Sequence, residues 1–156
     1  MTMSFTARFG AAFLPVALAV AGPAFAAGSD TGSSTAPATP SAYEQAKAAA
    51  DAGQYPLVLK ILATVVKAEP RNADALNMMG YANRKMKRFN EAARYYNAAL
   101  KADPQHLGAL EYQGELFVET GDYNRARDNL NRLGALCGTC EQYNDLHMAL
   151  MSAGQG

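Results

Sequence analysis

The chain has 156 residues, 49% of them hydrophobic, and its 14 basic and 14 acidic residues balance to a formal net charge of zero. This length allows one modest domain and excludes a large multidomain enzyme, and the hydrophobic content disfavours a wholly disordered chain. Because proteins that bind nucleic acids usually carry a basic surplus, the balanced charge argues against a nucleic-acid partner.

Residues 1–26 have the features of a secretory signal peptide. Arg8 supplies the positive start, residues 11–21 are apolar, and Ala24-Phe25-Ala26 is a small-x-small cleavage pattern. The alternative is a membrane anchor, but the apolar run is shorter than the roughly 20 residues that span a bilayer. We therefore expect cleavage after Ala26 and a periplasmic or secreted protein with no membrane insertion.

Residues 27–40 are predicted to form a flexible linker. Their sequence, AGSDTGSSTAPATP, contains no bulky apolar side chain. Such a segment cannot offset the entropy lost when a backbone becomes ordered. The folded domain is therefore expected to span residues 41–152.

The domain repeats itself at an offset of 34 residues. Three sets of positions show the repeat: Tyr55, Phe89 and Tyr123; Leu62, Tyr96 and Leu130; and the pairs Glu69-Pro70 and Asp103-Pro104. A fixed period of this length is the signature of a repeat architecture. The units lie at about 41–70, 72–104 and 106–137.

The first repeat has the pattern of two helices. Ser41 and Glu44 are spaced as a capping box, which predicts a helix over about 41–53. Pro56 suits the first turn of a second helix, over about 56–68.

The later repeats follow the same plan. Asn72 can cap the first helix of the second repeat, and Pro104 ends its second helix. In the third repeat, Gly121 ends the first helix and the second runs over about 123–136.

A final helix is predicted over residues 140–152. Thr139 and Gln142 are spaced as another capping box at its start. Because this helix has no partner, we expect it to cap the last apolar face of the array.

Residues 41–136 resemble the tetratricopeptide repeat family, most strongly in the second repeat, on the residues Gly80, Phe89, Ala92, Tyr96 and Pro104. The resemblance implies an all-α, right-handed solenoid of three helix-turn-helix repeats plus a C-terminal capping helix. It also implies a non-catalytic scaffold that binds a protein or peptide in a concave groove lined by the first helices, with no cofactor and no metal. The family's frequent Trp is replaced here by Ala42, Leu76 and Leu110.

Helical spacing within the first helices predicts ten groove residues: Tyr43, Lys47 and Asp51; Asn77, Tyr81, Arg84 and Lys85; and Glu111, Glu115 and Glu119. The charge along this groove runs from basic to acidic. The carboxylate-clamp subtype of the family uses Lys, Asn and Arg on successive first helices, and the acidic third repeat does not match it. We therefore do not predict binding of a chaperone tail.

The row of Glu111, Glu115 and Glu119 is the sharper charge signal, because like charges four residues apart destabilise a helix by a few tenths of a kcal/mol. A ligand with basic residues would compensate them, while Arg84 and Lys85 could accept an acidic group. The alternative is an ordinary solvated helix face.

Four further side chains could form a ligand pocket or core: Met78, Met79, Tyr95 and Tyr96. Their helical spacing within a repeat favours core packing between helices.

The pair Cys137 and Cys140 is the only feature that suggests chemistry. In an oxidising compartment such a pair usually forms a disulfide, which would hold the last helix against the third repeat. The alternatives are thiol-disulfide exchange, which would be a second function for the protein, and a metal site with His147 as a third ligand. No other catalytic motif is present, so we do not predict an enzyme; self-association through the end repeats is a further expectation.

Overall fold

The computed structural model describes residues 40–154, so the predicted signal peptide and residues 27–39 of the predicted linker lie outside the described residues. Within that range the chain forms seven α-helices and no strand. They are α1 (Ala42–Asp51), α2 (Tyr55–Ala68), α3 (Ala73–Lys85), α4 (Phe89–Ala102), α5 (Leu107–Glu119), α6 (Tyr123–Cys137) and α7 (Glu141–Ser152).

The helices pack as three consecutive hairpins, α1 with α2, α3 with α4 and α5 with α6. The first helices also touch one another, α1 against α3 and α3 against α5, and α7 continues this row by packing against α5. The predicted all-α repeat solenoid with a terminal capping helix is therefore confirmed.

Local capping explains most helix starts. Ser41 Oγ accepts from the Glu44 backbone N–H at 3.2 Å, and Glu44 Oε2 accepts from the Ser41 N–H at 2.7 Å, so this capping box is confirmed. Asn72 Oδ1 accepts from the Ala75 N–H at 3.0 Å. Pro56 lies in the first turn of α2, where its missing N–H removes no helical hydrogen bond.

The predicted capping box of Thr139 and Gln142 is wrong by one residue. The cap position belongs to Cys140, which makes no side-chain capping bond. Gly138 turns the chain with a φ of 67°, and the disulfide holds Cys140 at the start of α7. Thr139 thus lies one residue outside the helix.

The turn within each hairpin repeats in the backbone as well as in the sequence. Gly53, Lys87 and Gly121, at successive 34-residue offsets, have φ angles of 70°, 62° and 79°. Gly tolerates this left-handed region, whereas Lys87 carries a side chain there. Lys87 is held by an ion pair of its Nζ with Glu119 Oε2 at 2.7 Å.

Small residues let neighbouring helices approach closely. Gly80 of α3 faces the ring of Tyr96, and Gly114 of α5 faces the side chain of Leu146 in α7. Tyr96 and Met79 are buried, as predicted for core residues. Met78 and Tyr95 pack at the edge of the core and also line surface cavities.

Between residues 40 and 154 the helices are too short or too polar to cross a bilayer. The outer side of α7 exposes two large apolar side chains, Met148 and Met151. Self-association through this end of the array stays a prediction.

Candidate functional site

A cavity of about 270 Å³ opens along the row of first helices. Its lining comes from α1 (Tyr43, Lys47, Ala50 and Asp51), α3 (Asn77, Met78 and Tyr81), α5 (Gly108, Glu111 and Tyr112) and α7 (Gln142). Six of the ten predicted groove residues are thereby brought together: Tyr43, Lys47, Asp51, Asn77, Tyr81 and Glu111.

The repeat explains why these side chains share one cavity. Residues four apart, such as Asn77 and Tyr81, lie on one face of a helix. An offset of 34 residues then carries Asn77 onto Glu111 in the next first helix. The same offset carries Gly108 onto Gln142, so it could have identified the contribution of α7.

Aromatic rings form part of the cavity wall. The ring centroids of Tyr81 and Tyr112 are 5.2 Å apart, and those of Tyr55 and Tyr81 are 6.1 Å apart. Burial raises the pKa of Tyr112 to about 12, with nearby Glu111 adding to the shift. Burial also raises the pKa of Tyr81, so both phenols are neutral at physiological pH.

Arg84 lies beside the cavity in a buried network of charges. Its guanidinium pairs with Glu115 and, at 2.6 Å, with Glu119 Oε1. It also lies 5.8 Å and 5.7 Å from the ring centroids of Tyr81 and Tyr112. Although burial opposes its charge, the surrounding groups hold the pKa of Arg84 above its ordinary value.

This network corrects the interpretation of the glutamate row. The sequence suggested that a basic ligand compensates Glu115 and Glu119 or that the row is simply solvated, but Arg84 and Lys87 of the neighbouring repeat supply the counter-charge. Burial raises the pKa of Glu115 against the opposing effect of Arg84. At Glu119 the hydrogen bonds from Lys87 and Arg84 outweigh burial and lower the pKa.

Glu111 differs from the other two glutamates. It is only 6% exposed, and no ion pair joins it to a basic side chain in residues 40–154. Burial, followed by the charges of Glu115 and Asp145, raises its pKa to about 8. The carboxyl group is therefore largely protonated at neutral pH.

Asn77 also lies in the wall with unused hydrogen-bonding capacity. The residue is 7% exposed, and its Oδ1 has no hydrogen-bond partner within the described part of the chain. A buried carbonyl oxygen without a donor costs about 1–3 kcal/mol, so the amide has an acceptor that a ligand could satisfy.

Of the predicted groove residues, two that line the cavity lie on its rim and four lie outside it. Lys47 Nζ pairs with Asp51 Oδ2 at 3.0 Å on the exposed rim formed by α1. Lys85 is exposed, with its Nζ 5.8 Å from the ring centroid of Tyr81. The residues of the groove prediction that do not line the cavity are Arg84, Lys85, Glu115 and Glu119.

The two cysteines form a disulfide between the last residue of α6 and the residue before α7. Their Cα atoms are 5.7 Å apart. The bond holds the capping helix against the third repeat; thiol exchange at this pair stays a prediction. His147 is exposed and stacks on Tyr143 at a centroid distance of 6.0 Å, and the described residues contain no group of His, Cys, Asp and Glu that could hold a metal.

Comparison with known proteins agrees with this architecture. A family model described as Tetratricopeptide repeat matches residues 43–106 and 77–135, together more than half of the chain. No curated protein matches the sequence. One similar solved structure is the TPR2B-domain:pHsp70-complex of yeast Sti1, with 20% identity, a TM-score of 0.64, and coverage of 73% of this chain and 97% of that one.

Proposed function

The chain belongs to the tetratricopeptide repeat family, and on that basis we propose that it is a non-catalytic periplasmic protein that binds a peptide or protein partner in the cavity along its first helices. Proteins built from this repeat are typically scaffolds for protein–protein contacts. The observation that carries the proposal is the cavity itself, to which α1, α3, α5 and α7 all contribute side chains.

The cavity suits an extended segment of a partner better than a small metabolite. Its volume of about 270 Å³ is slightly below the 300–1,000 Å³ that is usual for sites of drug-sized ligands. Rim groups on α1, such as Lys47 and Asp51, extend the polar surface beyond it.

The partner of the yeast domain is not carried over to this chain, because 20% identity concerns the fold alone. The buried Arg84 is engaged by two carboxylates, which leaves it poorly placed to receive the terminal carboxylate of a ligand. This supports the expectation that the protein does not bind a chaperone tail.

Site-specific photo-crosslinking in the native cell tests the proposal. A photoreactive phenylalanine analogue replaces Tyr43 in the cavity wall or, as a matched control, Leu57 on α2; the two residues are 37% and 40% exposed. We expect a partner to crosslink at residue 43 and not at residue 57. Equal crosslinking at both positions would contradict binding in the cavity.

The proposed periplasmic location can be tested on the same cells. Fractionation followed by intact mass measurement should place the protein in the periplasm with Ala27 as its first residue. An uncleaved chain in the cytoplasm would contradict export.

A further inference from the structure

The end of the cavity near α7 has an excess of negative charge. The carboxylates that raise the pKa of Glu111 are Glu115 on the same helix and Glu141 and Asp145 on α7. The cation that acts most on Glu111 is Arg84, and its guanidinium is already paired with Glu115 and Glu119. At the α1 rim, by contrast, Lys47 and Asp51 cancel each other.

Two side chains of this cavity have unused capacity to pair with a ligand. Glu111 has no basic partner in the described part of the chain, and Asn77 Oδ1 has no hydrogen bond. Gly108 lies beside the amide: a Cβ there would come within 3.2 Å of Asn77 Nδ2, so the glycine keeps this part of the wall open. A ligand group with several hydrogen-bond donors, such as an ammonium or a guanidinium, would satisfy both side chains.

The rest of the wall suits the same kind of group. The neutral rings of Tyr81 and Tyr112 line the cavity and can pack against an aliphatic stem. Both rings already lie near the guanidinium of Arg84, so their surroundings accept a cation. With about 270 Å³, the cavity has room for one long side chain.

We propose that the cavity receives a single lysine or arginine side chain of the bound partner, whose charged end pairs with Glu111 and donates to Asn77. The inference rests on the proposed function and specifies the chemistry of its ligand. Buried charge pairs of this kind confer specificity, because a neutral side chain would leave the acceptors unpaired.

The pairing makes binding depend on pH in a defined sense. Six charged groups face Glu111 or the cavity: Arg84 of α3, Glu115 of α5, Glu141 and Asp145 of α7, and Lys47 and Asp51 of α1. An arriving cation favours the ionised carboxylate, so binding releases the proton that Glu111 carries below a pH of about 8. Affinity should therefore rise by up to about tenfold per pH unit between pH 6 and pH 8 and then level off.

A phage-displayed library of random dodecapeptides, selected on the purified protein, tests the proposal. We expect the selected peptides to share one basic residue. Its replacement by an uncharged analogue, norleucine for Lys or citrulline for Arg, should weaken binding at least tenfold in fluorescence anisotropy. Glu111→Gln should cause a similar loss and abolish the pH dependence. Glu91→Gln, at an exposed site on α4 outside this cavity, is the matched control. It should change neither the affinity for the peptide nor the pH dependence of binding.

The outcomes separate the two proposals. Gln resembles the protonated carboxyl that the free protein already contains. The Glu111→Gln variant should therefore remain folded and show a cooperative thermal unfolding transition. Peptides that bind the native protein and Glu111→Gln equally, or that bind more tightly as pH falls, would overturn the basic subsite and leave binding in the groove standing. A library that yields no binder would overturn both.

Discussion

The contact between Gly80 and Tyr96 gives a stability prediction whose sign can be worked out from the structure. Gly80 lies within α3, and a Cβ at this position would come to 2.5 Å from Cε1 and 2.6 Å from Cδ1 of the Tyr96 ring. Tyr96 is fully buried, so its ring cannot move into solvent to make room. Gly80→Ala must therefore displace one helix relative to the other.

Two effects of opposite sign decide the magnitude. Ala favours an exposed helix interior over Gly by about 0.8–1 kcal/mol. Overpacking of a well-packed core costs about 1–3 kcal/mol, and a rigid ring at this distance belongs in the upper part of that range. We expect a net loss of about 1–2 kcal/mol in the free energy of unfolding, or a fall in melting temperature of roughly 4–8 °C.

Gly134→Ala in α6 is the matched control. A Cβ at Gly134 would lie 3.4 Å from Cε2 of Tyr143, an ordinary contact, so the gain in helix propensity should stabilise the protein by up to about 1 kcal/mol. Urea denaturation followed by circular dichroism measures both variants. A Gly80→Ala protein as stable as the native one would refute the role assigned to the ring. In a double-mutant cycle, Tyr96→Leu should reduce the effect of Gly80→Ala.

Three further changes test the charge network, the disulfide and the buried carboxyl. Arg84→Met leaves the partly buried Glu115 without its counter-charge and should lower the free energy of unfolding by about 3 kcal/mol in urea denaturation at pH 7. The loss should be smaller at pH 4, where carboxylates become protonated. Replacing Cys137 and Cys140 by Ser should cost about 2 kcal/mol and speed amide hydrogen exchange in α7 preferentially; uniform exchange would refute a local role. The folded-state pKa of Glu111, about 8, exceeds its ordinary value, so its contribution to stability is lost as pH rises through 8. Glu111→Gln should therefore gain stability over the native protein from about pH 5 to about pH 8 and keep a constant difference above that, and parallel stability curves would contradict this.

The hairpins could be predicted because their signals are local and recur. The pairs Glu69-Pro70 and Asp103-Pro104 end α2 and α4 at matching positions, since a residue before proline is pushed out of helical geometry. The capping role predicted for Thr139 was wrong, because the pattern of a capping box contains no information about the disulfide. That bond holds the next residue, Cys140, at the cap position.

The cavity could be predicted in outline and its charges could not. Spacing along each first helix identified Asn77 and Tyr81 on α3 and Glu111 on α5, because residues on one face of a helix point in the same direction. The burial of Arg84 depends on carboxylates in the next repeat, at Glu115 and Glu119. Spacing within a single helix cannot show such a contact, so the glutamate row suggested a missing ligand where the protein supplies its own cation.

The capping helix links the stability of the array to its binding surface. Leu146 and Leu150 of α7 are buried against the third repeat, and Leu146 lies against Gly114, so α7 closes the core. The same helix supplies Gln142 to the cavity, while its Asp145 raises the pKa of Glu111. Because α7 occupies the place of a fourth first helix, its position fixes both the end of the core and the charge of the cavity. The disulfide at the start of α7 therefore contributes to the position of the groove as well as to the stability of the fold.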